Sequence, residues 1–232
     1  MCKLKKGEHK EKMLTEKFIV LDTETTNSLD DPIVYDFGWA VVDKTGKVYE
    51  TYSFVVADIF LDEELMESAY FKEKISSYWE EIKSGKRTLK RFENIRKIFR
   101  KCAKENNVTK FFAHNMRFDY RSVNLTQRFL TSSKYRYFFP YDAEICDTLK
   151  MARQALKNNV DFDNFCYDNN YLTKRGCKRY TAEILYRFLT GDNNFCESHT
   201  GLEDVLIEKE IMRFCFQEME DVDIHLWKDE EE

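Results

Sequence analysis

Short apolar runs of strand-forming residues recur in this chain, and acidic side chains follow where a run ends. Phe18 to Leu21 form the first run, and Asp22 and Glu24 come directly after it. Because alternate side chains of an extended chain leave the same face, these two carboxylates project together. Such a pair repels itself unless a cation lies between its members, and oxygen ligands suit Mg2+ or Mn2+. Alone, the pair also fits a solvated turn at a strand end.

A second run, Thr109 to Ala113, has the same context. His114 and Asn115 follow it, and the spacing downstream predicts a helix from Met116 to Leu130 with Asp119 in its first turns. Ligands of open α/β sheets bind at strand exits of this kind. The alternative is an ordinary first-turn acid that interacts with the helix dipole.

His199 and Asp204 form the third group of candidate residues. On one continuous helix, residues five apart point about 140° away from each other. His199 is therefore expected in the loop before a helix, with Asp204 on the inner face of that helix. Gly201 would allow this loop a close approach to its neighbours. The following apolar residues predict that the helix packs on the core, namely Val205, Leu206, Ile211 and Met212.

Together these residues resemble the DEDDh superfamily of 3′–5′ exonucleases, which includes proteins like the polymerase III epsilon subunit and RNase T. The sequence AHNMRFD, ending at Asp119, is similar to the second motif of the family. The sister subclass has tyrosine where this chain has Thr200, so the chain resembles the histidine subclass. EICDTLKMAR, with Asp147 and Thr148, and KRYTAEILYRFLTGD resemble later segments of the family.

The resemblance runs from about Lys17 to Cys215 and implies an α/β, ribonuclease H-like fold. This fold has a mixed five-stranded sheet with helices on both faces. Asn27 stands where many relatives have glycine, and it can still adopt a left-handed turn. The segment from Leu61 to Cys102 carries no signature of the family. Strands are predicted at 17–22, 33–43, 47–56, 109–113 and 144–146, and helices at 62–70, 88–106, 116–130, 148–156, 182–189 and 202–220.

We expect a charged N-terminal segment at 1–16, an exonuclease domain at 17–220 and an acidic C-terminal tail at 221–232. The chain shows no signal peptide and no apolar run of about 20 residues, so a cytoplasmic protein without membrane contact is expected. Its seven scattered cysteines favour a reducing compartment. A zinc site is a minor alternative that lacks a CxxC pair, and its candidate ligands are Cys166, Cys177, Cys196 and His199.

The formal net charge of −5 argues at first against a nucleic-acid partner. Positive side chains nevertheless concentrate between Lys83 and Lys104. They predict either the solvated face of an amphipathic helix or a surface that follows phosphates. The cations concerned include Lys86, Arg87, Lys90, Arg91, Arg96, Lys97, Arg100 and Lys101.

The resemblance implies two divalent cations, Mg2+ or Mn2+, about 3.5–4 Å apart. By this resemblance Asp22 binds both ions, Glu24 and Asp204 complete the first site, and Asp119 serves the second. His199 takes the proton from the attacking water. The residues expected to contact substrate are Thr25, Thr26, Asn27, Asn115 and Phe118.

The implied reaction releases 5′-mononucleotides from the 3′ end of single-stranded or frayed DNA. An exoribonuclease that trims RNA ends or short oligoribonucleotides is the alternative, because the choice depends on 2′-hydroxyl contacts that a sequence does not reveal. An inactive nucleic-acid-binding or polymerase-binding module ranks lower, since no expected metal ligand is missing. A polymerase or replication partner is a further expectation. Relatives include monomers and dimers, so a homodimer remains open.

Overall fold

A computed structural model describes residues 16–134, 136–219 and 221–227. Six strands form one mixed sheet in the order β4-β3-β2-β1-β5-β6. The strands are β1 (Lys17–Thr26), β2 (Ile33–Asp43), β3 (Val48–Val56), β4 (Thr88–Lys90), β5 (Lys110–Ala113) and β6 (Glu144–Asp147). The helices are α1 (Ala57–Phe60), α2 (Glu63–Met66), α3 (Ile75–Ser84), α4 (Phe92–Glu105), α5 (Met116–Leu130), α6 (Thr148–Ala155), α7 (Val160–Asp168), α8 (Ala182–Thr190) and α9 (Gly201–Glu218). A 3-10 turn at Lys72–Lys74 precedes α3.

The mixed α/β sheet is confirmed, but its strand count is six rather than the predicted five. β1, β2 and β3 pair antiparallel, whereas β5 pairs parallel with β1 and β6 parallel with β5. The additional strand, β4, pairs parallel with β3 at the edge of the sheet. The sequence predicted a helix over 88–106. That helix begins at Phe92, whose backbone N–H donates to Asp58 Oδ2 at 2.7 Å, a cap from a distant residue.

Helices cover both faces of the sheet, which explains why the first half of β1, Phe18 to Leu21, is apolar without interruption. Ile19 and Leu21 face one core, where they pack with Phe37 and Phe99. Phe18 and Val20 face the other core, which also contains Ile211. Because side chains alternate along a strand, Asp22 and Glu24 continue the second face, and α9 packs on this face.

Several helix boundaries differ from the sequence prediction. The helix expected over 62–70 is limited to Glu63–Met66, and α1, α3 and α7 were not predicted at all. The predicted helix at 116–130 is confirmed as Met116–Leu130. Leu89, inside the helix predicted over 88–106, lies on β4 instead, while Phe92, Ile95, Phe99 and Cys102 of α4 are buried.

The proposed terminal segments lie mostly outside the described residues, which exclude 1–15 and 228–232. Residues 221–227 lie beside β6, where the Leu226 N–H donates to Ile145 O at 2.9 Å. Lys150 also pairs with Asp223 at 2.6 Å. The domain boundaries therefore remain a prediction. None of the helices in the described part of the chain combines the length and apolar character of a membrane span.

Most cations of the basic segment between Lys83 and Lys104 already have partners within the fold, and five of the ten pair with acids. Arg87 is buried, at 2% exposure, so it fits neither the solvated helix face nor the phosphate-following surface that the sequence offered for this segment. Its guanidinium binds the buried Asp36 at 3.0 Å and Glu203 at 2.8 Å, and it also pairs with Glu81. Other cations of the segment bind acids or backbone carbonyls, namely Lys86, Arg91, Arg96, Lys97, Arg100 and Lys101.

Two glycines allow α9 to touch β2 with its backbone. A Cβ atom added at Gly38 would lie 2.3 Å from both the carbonyl carbon of Gly201 and the nitrogen of Leu202. One added at Gly201 would lie 2.7 Å from the nitrogen of Gly38. Asp36 completes this junction, because its Oδ2 accepts from the Gly201 N–H at 3.0 Å and from the Tyr78 hydroxyl at 2.6 Å. The expected close approach at Gly201 is confirmed.

We predict that Gly38→Ala lowers the free energy of unfolding by about 2–3 kcal/mol, because the new methyl group meets backbone that cannot rotate away. Differential scanning calorimetry checks this as a melting point roughly 5–10 °C lower. Gly85→Ala is the control, since no atom lies within 4 Å of its added Cβ and only the left-handed φ of +80° opposes alanine. That change should cost about 1 kcal/mol. Equal losses in the two variants would contradict the packing argument.

Candidate active site

A cleft of about 640 Å³ lies where the carboxyl ends of β1 and β5 approach the first turns of α5 and α9. Its lining brings together all five residues that the sequence assigned to catalysis, namely Asp22, Glu24, Asp119, His199 and Asp204. They come from four separate elements, which are strand β1, helix α5, the loop before α9, and α9 itself. The predicted convergence of these residues is therefore observed, while their catalytic roles remain a prediction.

Strand β1 supplies two carboxylates and fixes a third. Asp22 and Glu24 leave the same face of the strand, as the alternation predicts. Thr23, between them, donates from Oγ1 to Asp119 Oδ1 at 2.8 Å, and this buried bond ties α5 to β1. The pairing of β1 with β2 shifts register between Glu24 and Thr25. Such an irregularity redirects the side chains that follow it.

His199 lies in the loop before α9, as the five-residue spacing predicted, and Asp204 is buried on the first turn of the helix. The backbone of His199 is left-handed, with φ of 48°. Its ring stacks on Phe71 with 4.3 Å between the ring centroids and 10° between the planes. Lys74 donates to the carbonyl of Ser198, so the turn before α3 holds this loop on a second side.

Asp204 also shapes the loop that carries the histidine. Its Oδ2 accepts from the Thr200 N–H at 2.9 Å, and its Oδ1 accepts from the Ser198 hydroxyl at 3.3 Å. Each oxygen accepts one hydrogen bond and keeps a second lone pair. Asp204 is thus both a candidate metal ligand and the side chain that fixes the backbone just before its own helix.

The donor atoms in the cleft suit a divalent cation. Ligand atoms of Glu24, His199 and Asp204 lie within 4.8 Å of one another. Asp22 and Asp119 line the same cleft and add carboxylate oxygens, the donors that Mg2+ and Mn2+ prefer. Within the described residues, this is the cluster of acidic, histidine or cysteine side chains whose geometry fits an ion. The alternative zinc site finds no support there, because its cysteines form no such group.

Electrostatics in the cleft favour cation binding. Burial raises the pKa of Glu24 to about 9, and the nearby Asp204 adds to the effect. Burial likewise raises the pKa of Asp119 and of Asp204 to about 7 each, against the hydrogen bonds that they accept. The pKa of Asp22 is raised well above its ordinary value by burial and then by Glu208 and Asp119. A bound cation would relieve the repulsion that these carboxylates share.

Two further acids and a lysine beside the carboxylates were not expected from the sequence. Glu208 lies one turn after Asp204 on the same helix face, is buried, and accepts from the His114 N–H at 3.1 Å. The four-residue spacing from Asp204 was a signal for its position. Glu197 also lines the cleft, and burial raises its pKa to about 7. Lys74 lies close enough to lower the pKa of Glu24, against the effect of burial. No local sequence pattern predicts that Lys74 lies near the cleft.

The predicted substrate contacts divide into two groups. Asn115, with φ of 71°, and Phe118 line the cleft. Thr25, Thr26 and Asn27 are not among the residues that line it. Thr26 instead bonds to Ser68 Oγ at 2.9 Å, and the left-handed turn expected at Asn27 is confirmed by its φ of 69°. Their contacts with substrate remain a prediction.

No protein-family model matches this sequence, and no curated protein matches it. Solved structures do resemble it. An apo exonuclease I gives a TM-score of 0.53 at 14% identity, covering 86% of this chain and 41% of that chain. E. coli exonuclease I in complex with a 5cy-dT13 oligonucleotide gives 0.52 at 12% identity, covering 86% and 40%.

Exonuclease I from Methylocaldum szegediense also gives a TM-score of 0.52, at 12% identity, with 87% of this chain and 40% of that chain covered. This chain therefore spans about two fifths of the length of these exonuclease I chains. At such low identities the likeness shows a shared fold, and it supports the mixed α/β architecture predicted from the sequence.

The carboxylate cluster predicts how stability depends on pH. The pKa values of about 7 for Asp119 and Asp204 and about 9 for Glu24 exceed those of an unfolded chain, about 4. At pH values between about 4 and about 9, these carboxyl groups bind more protons in the metal-free folded protein than in the unfolded chain. Its free energy of unfolding should therefore fall as pH rises from about 4 to about 9. Melting curves with EDTA across this range check the direction.

Asp119→Asn should reduce this decline and stabilise the metal-free protein by about 1–2 kcal/mol at pH 8, because it removes one buried charge and keeps an acceptor for Thr23. Asp161→Asn, an exposed acid on α7, is the matched control and should change little. Saturating MgCl2 should stabilise wild type more at pH 8 than at pH 5. If the free energy of unfolding of the metal-free protein instead rose with pH over this range, the proposed repulsion among these buried carboxylates would be wrong.

Proposed function

We propose that this chain is a metal-dependent 3′–5′ exonuclease of the DEDDh type that hydrolyses single-stranded or frayed DNA ends to 5′-mononucleotides. The observation that carries the proposal is the convergence of Asp22, Glu24, Asp119 and Asp204 with His199 in one cleft. Four carboxylates and one histidine from separate elements meet at the edge where α/β sheets bind ligands. A purely structural role would not require so many raised carboxyl pKa values in one place.

The nearest support for the substrate class comes from the shared fold. E. coli exonuclease I, which resembles this chain, is bound to a 5cy-dT13 oligonucleotide. The cleft here also suits an anionic polymer, because Arg153, Lys178 and Arg179 line it together with the carboxylates. Positive side chains therefore lie next to the acidic cluster, although the whole chain has a net charge of −5. DNA is the favoured polymer, and RNA is tested beside it.

We assign the cation ligands by position. Asp22 and Glu24 on β1, Asp119 on α5 and Asp204 on α9 would hold two divalent cations. When bound, such ions lower the pKa of an attacking water and stabilise the leaving 3′ oxygen. Glu208 and Glu197 line the cleft beside these ligands, and burial raises the pKa of both. The half-buried ring of Phe118 offers an apolar surface to the terminal nucleotide.

His199 is the proposed proton acceptor of the reaction. Its side chain is half-buried, with 38% exposure, and burial together with the neighbouring Lys74 lowers its pKa below the ordinary value of 6.5. The imidazole is therefore neutral and able to accept a proton at neutral pH. Phe71 and Lys74 restrict the loop so that the ring stays over Glu24 and Asp204.

A labelled-oligonucleotide assay tests the proposal. Wild-type protein with Mg2+ should shorten 5′-labelled single-stranded DNA stepwise and release mononucleotides from 3′-labelled DNA. Asp22→Asn should lower kcat by about 10³-fold or more while the melting point is retained, because it removes a ligand without changing shape. Asp161→Asn, the exposed control acid, should keep wild-type activity. Equal rates for Asp22→Asn and wild type would overturn the metal site, and faster hydrolysis of RNA would make the protein an exoribonuclease.

The histidine is tested by His199→Asn, since asparagine tolerates the left-handed backbone at this position better than alanine does. We expect kcat to fall by roughly 10²–10⁴-fold, the usual contribution of a positioned base. In wild type the rate should decline on the acidic side, with a midpoint below the ordinary imidazole value because burial and Lys74 lower the pKa of His199. The variant should lose most of this decline. Wild-type turnover in the variant at all pH values would show that His199 does not accept the proton.

A further inference from the structure

A short hairpin between α7 and α8 forms part of the cleft. We call residues 171–180 the basic hairpin. Leu172 and Lys178 pair across it, the Thr173 N–H donates to Cys177 O at 2.8 Å, and Gly176 turns its tip with φ of 76°. Thr173, Lys178, Arg179 and Tyr180 line the cleft that contains the carboxylates. The tip of the hairpin extends from the rim of this cleft into solvent, because residues 173–177 are exposed.

The base of the basic hairpin is firmly anchored. Tyr180 O lies 2.6 Å from Nε2 of the half-buried His114, at the exit of β5. Lys178 pairs with Asp163 on α7 and donates to Leu156 O at 3.1 Å. On the other side of the base, the Tyr171 hydroxyl accepts from Arg187 at 2.7 Å. The position of the tip relative to the carboxylates is thus fixed by both neighbouring helices and by the sheet.

The exposed cations of the basic hairpin differ from those of the 83–104 segment. Lys174, Arg175 and Arg179 make no ion pair with any acid among the residues that the structure describes. No acidic residue occurs between Tyr171 and Ala182. In the 83–104 segment, by contrast, five of the ten cations pair with acids, and Arg96 and Arg100 bind backbone carbonyls. Three cations without an acidic partner therefore lie beside the cleft of a chain whose net charge is −5. Such a local excess of positive charge favours binding of a polyanion.

We propose that the basic hairpin binds the phosphate backbone of the substrate strand upstream of its 3′ end. This inference rests on the proposed nuclease function and names the surface that holds the polymer while its end occupies the cleft. Lys174, Arg175 and Arg179 supply point charges and guanidinium donors to successive phosphates. Such contacts depend little on base identity, so the strand can be held while its sequence varies.

The geometry limits which nucleotides the hairpin reaches. Five residues of extended chain join Arg175 to Tyr180, so the tip lies within about 17 Å of the residue that contacts His114. A stacked strand advances about 3.4 Å per nucleotide. The hairpin therefore contacts phosphates within about five nucleotides of the scissile bond. Affinity should rise with oligonucleotide length up to about six nucleotides and then level off.

The test compares two triple variants of the full chain in the Asp119→Asn background with Mg2+, so that bound strands are not consumed. One carries Lys174→Gln, Arg175→Gln and Arg179→Gln. The other carries Lys97→Gln, Lys101→Gln and Lys104→Gln, which removes the same charge from the exposed face of α4. Fluorescence anisotropy gives Kd for labelled oligothymidylates of about 3 to 12 nucleotides at several salt concentrations. Melting curves confirm that both variants fold.

The hairpin variant should bind the longest strand about 10–100-fold more weakly, with a salt slope reduced by about 2, since each lost phosphate contact on a single strand contributes about 0.7. The α4 variant should keep both values. An unchanged Kd and slope in the hairpin variant, or a larger loss in the α4 variant, would overturn the proposal. Hydrolysis by the wild-type protein is measured separately, so that a failed nuclease assay and a failed hairpin are distinguishable outcomes.

Discussion

The contact between the backbones of Gly38 and Gly201 sets the geometry on which the candidate site depends. It brings the first turn of α9 against β2, so that Asp204 on the helix and Asp22 and Glu24 on the adjacent strand share one cleft. Asp36 supports the junction by accepting from Gly201. A side chain larger than hydrogen at either glycine would separate the helix from the sheet, and the carboxylates would separate with it.

The cleft concentrates charge that the fold does not neutralise. Elsewhere a buried acid has a partner, as Asp36 has in Arg87 and Tyr78. In the cleft, burial and mutual repulsion raise the pKa of Glu24, Asp119 and Asp204, with Lys74 as the cation that opposes the shift at Glu24 and Asp204. Metal-free protein therefore bears a cost in stability, which bound cations relieve. Such unfavourable local charge is typical of functional sites rather than of packing.

The distribution of cations reconciles an acidic protein with a polyanionic substrate. Most positive side chains of the 83–104 segment are occupied, and Arg87 is the centre of a buried network that reaches Glu203 on α9. The exposed cations of the basic hairpin lie at the cleft instead. A strand entering the site would thus meet unpaired positive charge close to the carboxylates, where long-range repulsion from the rest of the chain is screened by salt.

The sequence by itself determined the shared face of Asp22 and Glu24 and the loop position of His199, because these follow from side-chain periods of 2 and 3.6. It also predicted α5, but it ended β1 at Asp22, whereas the strand continues to Thr26. It missed β4, α1, α3 and α7, the buried position of Arg87, and the approach of Lys74 to the cleft. Only the tertiary structure decided these, since each depends on partners far along the chain, such as Phe54 for Thr88 and Asp36 for Arg87. Local periodicity carries no information about such distant pairings.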